Sequence, residues 1–513
     1  LGDLVGVKPL HTIPGGTISQ RSYVANTVAY RRRKGTAAVV EQLARDVTGW
    51  PARAVEFFQV LSTTQHVNHP RLANLATVDL RDWEALQQLG TAFDRQGHSI
   101  DVRRAAGGRG RHNLPNVGVY LWRLGCYSVT DAPACRAGER RYTCSPLGAP
   151  LQLVTRPDTE IEISHLATPL NVPEPISRRV LDRYLETHYY GPDRSLFVRV
   201  GDAAIPGSDL QVRDLRDVPA DDSNQTWANL PASAADKVAI DPRLGRIALP
   251  PRPEWQAAPV SVTYHYAFAA DMGGGEYERG EAAQAGLTPV ASLPGLIAAL
   301  AETRGDAIIE VTDNGRYESA SGLTVRPEPG ARFELRARNG TRPLIALRPD
   351  EPLAVASAAR AIVIVDGFLI SGAITVSGPL TLRLRHCTLV PGLQLGPDGE
   401  PRHPGTPSLA IAGPATVEID RCIVGRIVAE AAASITIRDS IVDATTESGP
   451  AFGPPAGSSS AFGGRLRVER STVIGTVAAS QLDLVSNAII LGQTLVERTQ
   501  VGRVQHSYLG SGS

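Results

Sequence analysis

The sequence predicts a multidomain α+β chain in three parts. These are a helix-rich N-terminal domain over 1–190, a small β-rich domain over 191–285 and a C-terminal right-handed parallel β-helix over 286–513. Three observations carry the prediction. A short phrase recurs through the last third, apolar residues at helical spacing mark the first, and that spacing disappears between them. A length of 513 residues also exceeds what one hydrophobic core serves.

In the N-terminal part, Ala37–Val47 places apolar residues at helical spacing, with Thr36 as N-cap and Gly49 just past the end. Pro51 stands where proline opens a helix, so a second helix is expected through Arg53–Leu61. Asp82–Leu86 suggests a third and Pro175–Leu185 a fourth, while Asn116–Leu124 alternates like a strand.

From 191 to 285, strand-like runs (Ser195–Val200, Lys237–Ile240, Arg246–Leu249, Val260–Phe268) alternate with Pro, Gly and Asp clusters, which indicates a small β domain. The Gly273-Gly274-Gly275 run that follows has no Lys-Ser/Thr after it and no strand–loop–helix setting. It reads as a flexible exit loop rather than a phosphate cradle.

Leu293–Thr303 is amphipathic and suits a cap over the first coil of a solenoid, after which strands are expected at Ala307–Thr312, Gly322–Arg326 and Arg332–Ala337. The recurring phrase then runs Arg385–Val390, Asp420–Gly425, Arg438–Val442, Glu469–Ile474, Val485–Ile490 and Gln505–Leu509, with a looser copy at Val365–Ile370. Its marker residues are Gly367, Cys387, Cys422, Ser440, Ser471, Asn487 and Ser507, giving steps of 20, 35, 18, 31, 16 and 20. Steps of 16–20 fit one coil of a pectate-lyase-like solenoid, and the long steps hold insertions at Pro391–Pro407 and Thr446–Gly464. Roughly nine coils about 4.8 Å apart would span about 40–45 Å. Two residues before the markers, Arg385, Asp420, Arg438 and Glu469 alternate in sign, so unlike charges should meet from coil to coil.

Composition narrows the function classes. Lys+Arg and Asp+Glu are equal at 52 each, which gives no global field for nucleic acid or an anionic membrane. No run of 18 apolar residues exists and Leu1–Gln20 lacks a signal-peptide layout, so export by the general route is not expected. The chain opens at Leu1 rather than Met, from which a processed or incomplete N-terminus is expected. Cys126, Cys135, Cys144, Cys387 and Cys422 show no metal or CxxC spacing and read as small buried residues of a protein folded in the cytoplasm.

Catalytic signatures are thin. A polysaccharide-cleaving β-helix needs clustered carboxylates, yet Asp366, Asp420, Asp439, Asp443 and Asp483 lie beside Arg421, Arg438 and Arg470. The insertions are rich in Gly, Pro and Ser, with Phe452 and Phe462 as their aromatics, where sugar clefts need more. His66 and His69 form a pair without a third ligand, and no Gly-x-Ser-x-Gly elbow occurs. No catalytic residue, cofactor or metal is expected.

The stretch Tyr23–Thr36 ends in four consecutive cations, Arg31-Arg32-Arg33-Lys34, and runs into the capped helix and then Thr48-Gly49-Trp50-Pro51. With Asn116–Leu124, Arg141–Gly148, Val172–Ile176, Ile240–Ile247 and Tyr264-His265-Tyr266, it resembles the baseplate wedge proteins of contractile phage tails and of extracellular contractile injection systems. The resemblance covers about residues 20–285 and rests on the combination and order of these motifs. It implies a structural virion component rather than an enzyme, made in the bacterial cytoplasm and built into a tail-like particle. Its partners would be the wedge, hub and sheath proteins of a six-fold baseplate, with no nucleic acid and no direct membrane insertion. Tyr30, Arg31, Arg32, Arg33, Lys34, Trp50 and Trp122 are the candidate assembly residues. The solenoid departs from the wedge pattern. It keeps two alternatives open, a tail-spike- or fibre-like receptor- or glycan-binding protein and a polysaccharide-cleaving enzyme.

Overall fold

The computed structural model describes residues 2–7, 20–70, 77–103, 110–160, 165–218, 227–280, 286–302 and 305–510. Most of the segment read for a signal peptide, and Thr303, lie outside these ranges. The chain divides into two compact units: Leu1–Cys126 with Val154–Tyr184 and Ala267–Ala269, and Tyr127–Leu153 with Leu185–Tyr266 and Ala270–Ser513.

In the first unit, Gln20–Arg32 and Ala37–Thr48 are helices. Thr36 Oγ1 accepts the Val39 N–H, and left-handed Gly49 returns its N–H to the Arg45 carbonyl, so both ends are capped as the sequence indicates. The helix expected over 53–61 does not form. Ala52–Glu56 is a strand, paired antiparallel with Val117–Leu121 and followed by a 3₁₀ turn at Phe57–Val60. Ala-Arg-Ala-Val-Glu has helical composition, but tertiary partners decide. Ala54 pairs with Val119 and donates its N–H to the buried Glu41 carboxylate at 2.8 Å. Trp83–Gln87 and Arg178–Tyr184 are short helices at the expected places. Strand and irregular connections fill the remainder of the described residues, so the N-terminal part is mixed rather than helix-rich.

The second unit holds two small sheets and the solenoid. A five-stranded sheet runs in the order Cys135–Arg136, Arg141–Thr143, Arg246–Ala248, Val238–Asp241, Leu210–Val212. A four-stranded sheet runs Gly125–Pro133, Val260–Phe268, Leu196–Val200, Ala203–Ala204. The motif Ile240–Ile247 is the hairpin of the first. Asp241 accepts the Leu215 and Arg243 N–H groups, Gly245 turns with φ +59°, and buried Arg246 stacks over Trp227 at 4.6 Å.

In the solenoid, parallel strands build one sheet of seventeen and one of nine, an arrangement consistent with a parallel β-helix. Each coil contributes one short strand to the nine-stranded sheet, for example Leu369–Ser371, Thr388–Leu389 and Ile423–Val424, so the sheet marks nine coils. Alternate residues of most of these strands enter a continuous apolar core from Val290 to Ile490, and the helix Leu293–Glu302 covers its start through Leu296 and Leu300.

Candidate functional site

Strand register shows what the recurring phrase does. Asp366, Arg385, Asp420, Arg438, Glu469, Ser486 and Gln505 are successive partners in one column. The next residue of each coil, Gly367, His386, Arg421, Asp439, Arg470, Asn487 and His506, is left-handed, with φ between 45° and 87°. The following one points inward: Phe368, Cys387, Cys422, Ser440, Ser471, Ala488 and Ser507. Two markers of the sequence reading therefore move by one place. Gly367 and Asn487 belong to the left-handed column, for which glycine and asparagine suit, and Phe368 and Ala488 take the inward sites.

The inward column is a hydrogen-bonded relay. Cys387 N–H reaches Cys422 Sγ at 3.4 Å, Cys422 N–H reaches Ser440 Oγ at 3.0 Å, Ser440 N–H reaches Ser471 Oγ at 3.1 Å, and Ala488 N–H reaches Ser507 Oγ at 3.1 Å. Each of these side chains then donates to the carbonyl two residues back on its own strand. All five cysteines are free thiols, and burial pushes the Cys126 and Cys144 thiols up to about 12, so they stay protonated.

The charge column is longer than the sequence suggested. Glu310 and Arg336 precede Asp366 in it, so seven residues alternate in sign without a break, with Glu310–Arg336 at 2.9 Å and Arg438–Glu469 at 3.4 Å. A polar cleft of about 940 Å³ opens over its first coils, lined by Glu310, Glu334, Arg336, Asp366, Arg385 and Arg279 among others. Burial outweighs Arg279 and Arg385 there and raises Asp366 to about 6. The other carboxylates weighed as catalytic are engaged. Asp420 sits between Arg385 and Arg438, Asp439 binds Arg470 with two bonds of 2.7 Å, Asp483 binds Arg465, and Asp443 accepts the Thr445 N–H. Phe452 lies inside the core.

The triple glycine is buried and fixed, not a loose exit. Gly273 N–H bonds the Arg421 carbonyl at 2.8 Å and Gly274 N–H bonds Thr388 Oγ1 at 3.1 Å. A Cβ on Gly274 would stand 2.7 Å from the Phe368 carbonyl carbon, so only glycine permits this approach. Beyond it, Glu276 accepts from Ser128, Thr130 and Asn314, and Arg279 caps the Ala337, Arg338 and Thr341 carbonyls. Arg342 lies 5.1 Å over the Tyr266 ring. The small sheets and the solenoid are thus bolted together.

In the first unit, the candidate assembly residues separate. Arg31, Arg32, Arg33 and Lys34 are exposed, with Arg31 bonded to the Gly6 carbonyl, and Trp50 is partly open beneath Arg123. Tyr30 and Trp122 turn inward. Tyr30 Oη donates to Asp46, and Trp122 packs on Phe93 and donates to Glu174 at 3.0 Å. Sequence reasoning missed a different surface. Sixteen of the twenty-two exposed large apolar side chains among the described residues fall between Leu4 and Leu124. Val117, Val119 and Leu121 alternate along one side of a strand that has a single partner strand. The strand was legible, but not that its apolar side stays uncovered. His66 and His69 are exposed, while Asp94, His98 and His112, which sequence spacing did not connect, come together. No family model, curated protein or solved structure matches the chain.

Proposed function

We propose that this protein is a non-enzymatic structural component of a contractile tail-like baseplate, docking through its N-terminal unit and carrying a right-handed parallel β-helix. Right-handedness follows the rule for parallel crossover connections. The observation that supports docking is the uneven distribution of exposed apolar side chains. They crowd residues 4–124, and none lies between 125 and 296 among the described residues. Within that stretch Val117, Val119 and Leu121 line one side of a two-stranded ribbon with apolar side chains left open to solvent, the kind of strand face that a partner can cover. The partner surface should be apolar with an acidic rim, to take Val117, Val119 and Leu121 and to meet Arg31–Lys34. Wedge, hub or sheath subunits of a six-fold particle supply this setting, after synthesis in the bacterial cytoplasm. The side-chain relay and charge column support a stiff, structural solenoid, because each spends its polar groups on the neighbouring coil.

The test is particle assembly with Val117→Asp/Val119→Asp. The variant chain should keep its far-UV spectrum and be lost from purified particles imaged by electron microscopy. Incorporation at the wild-type level would overturn docking through this strand. Depolymerisation of an acidic polysaccharide by the purified chain would overturn the structural role.

A further inference from the structure

We infer that Asp94, His98 and His112 form a binding site for a divalent transition-metal ion of the zinc class. One ligand atom from each of the three lies within 4.8 Å of the others. Two imidazoles and one carboxylate are a donor set that such ions select, with remaining positions left to water.

The Asp94 carboxylate and the backbones of both histidines are held before any ion arrives. Asp94 accepts the Gly90 N–H on Oδ2 at 2.8 Å and the Gln96 N–H on Oδ1 at 3.0 Å, which fixes the carboxylate plane. Its Oδ2 also reaches His98 Nε2 at 2.9 Å. His98 is anchored by its backbone, donating to the Val60 carbonyl and accepting from Ser62 N–H, both at 2.8 Å. His112 accepts the Asp101 N–H on its carbonyl, and its ring meets the Phe57 ring edge-on with centroids 5.3 Å apart. Neither ring nitrogen of His112 has a hydrogen-bond partner among the described residues.

The two rings stack with centroids 3.8 Å apart and planes 13° from parallel. Nitrogen lone pairs lie in the ring plane, so nearly parallel rings cannot both point at one ion. Binding therefore requires His112 to turn about its Cβ–Cγ bond out of the stack, while His98 stays against Asp94. The ion would tie together the chain near Val60–Ser62, the Asp94–His98 turn and the segment carrying His112, in a unit with little regular structure of its own.

The full-length chain, stripped with chelator, is titrated with Zn²⁺ by calorimetry and with Co²⁺ by visible absorption. One equivalent should bind, with Co²⁺ ligand-field bands. His98→Gln, His112→Gln and Asp94→Asn should each weaken binding by at least ~10-fold. His66→Gln/His69→Gln should leave it unchanged. Asp94→Asn retains an oxygen to accept one of the two backbone N–H groups, so it serves where a histidine variant changes the far-UV spectrum. Absence of Zn²⁺ and Co²⁺ uptake by the wild-type chain, uptake indifferent to all three substitutions, or loss confined to the His66/His69 variant would overturn the site.

Discussion

The backbone N–H of Ser440 donates to Ser471 Oγ at 3.1 Å, one coil away. Ser440 Oγ in turn accepts the Cys422 N–H and donates to the Arg438 carbonyl. The hydroxyl is buried, so its removal strands the Cys422 N–H, while the Arg438 carbonyl keeps the Arg421 N–H at 3.1 Å. Ser440→Ala should destabilise the solenoid by about 1–3 kcal/mol in chemical denaturation. Ser440→Cys should recover most of that, because a thiol already fills this place at Cys387 and Cys422. Equal losses for Ala and Cys would show that volume, not the relay, decides.

The left-handed column gives a second expectation. Arg421 has φ +50° and an exposed side chain. A β-branched residue is strained in that region and glycine is not, so Arg421→Val should cost about 1–2 kcal/mol and Arg421→Gly should cost less or stabilise. Midpoints of urea unfolding for the two variants decide the order. The reverse order would remove the backbone argument.

Much of this was legible, and the misses share a physical cause. Coil period, capping helix and alternating charge are local patterns repeated many times, so one sequence carries them. The off-by-one placement of Gly367 and Asn487 arose because glycine and asparagine, which suit the left-handed column, resemble the small polar residues of the inward column beside it. Only hydrogen-bond register separates them. Ala52–Glu56 reads as helix until its partner strand and Glu41 are seen. The Asp94, His98 and His112 grouping depends on a tertiary approach that an i,i+4 Asp–His pair alone does not signal.

Glu41 provides a third expectation, in the N-terminal unit. It is fully buried, accepts Ala54 N–H at 2.8 Å and Ala167 N–H at 2.7 Å, and faces Arg45 at 3.3 Å. Burial raises its pKa despite those bonds. Glu41→Ala strands two buried N–H groups and should cost on the order of 2–4 kcal/mol. Glu41→Gln keeps one acceptor oxygen and should cost less. Thermal unfolding of both variants orders them, and a neutral Ala variant would contradict the assignment.

Asp366 sets a pH dependence. Its carboxyl is raised from 3.8 to about 6, mainly by burial. Between these values the folded chain holds a proton that the unfolded chain has released. Its contribution to stability therefore falls as pH rises through roughly 4 to 6 and is level above. The fall is up to ~3 kcal/mol. Asp366→Asn, which mimics the protonated acid, should lack this component and gain on the wild type as pH rises from 4.5 to 7. Unfolding free energies at those two pH values measure it. A wild-type chain that gains on the variant over the same interval would show that Arg279 and Arg385 outweigh burial.

Gly274 tests how the small sheets hold to the solenoid. A Cβ there would meet the Phe368 carbonyl carbon at 2.7 Å, its oxygen at 2.8 Å and Leu369 N at 2.9 Å. These are backbone atoms inside a coil and cannot swing aside, so the irregular segment from Asp271 to Arg279, which straps the coils, must lift. Lifting would break the Gly274–Thr388 bond and loosen Tyr277, whose hydroxyl reaches His386 Nδ1 at 3.1 Å. Gly274→Ala should therefore speed limited proteolysis within 270–280 by several-fold while the stacked coils remain protected. Gly305→Ala, where nothing lies within 4 Å of the added carbon, is the matched control and should cleave like the wild type. Identical cleavage of both variants would mean that the strap rests on the solenoid without being held by the glycine, and that Glu276 and Arg279 alone secure it.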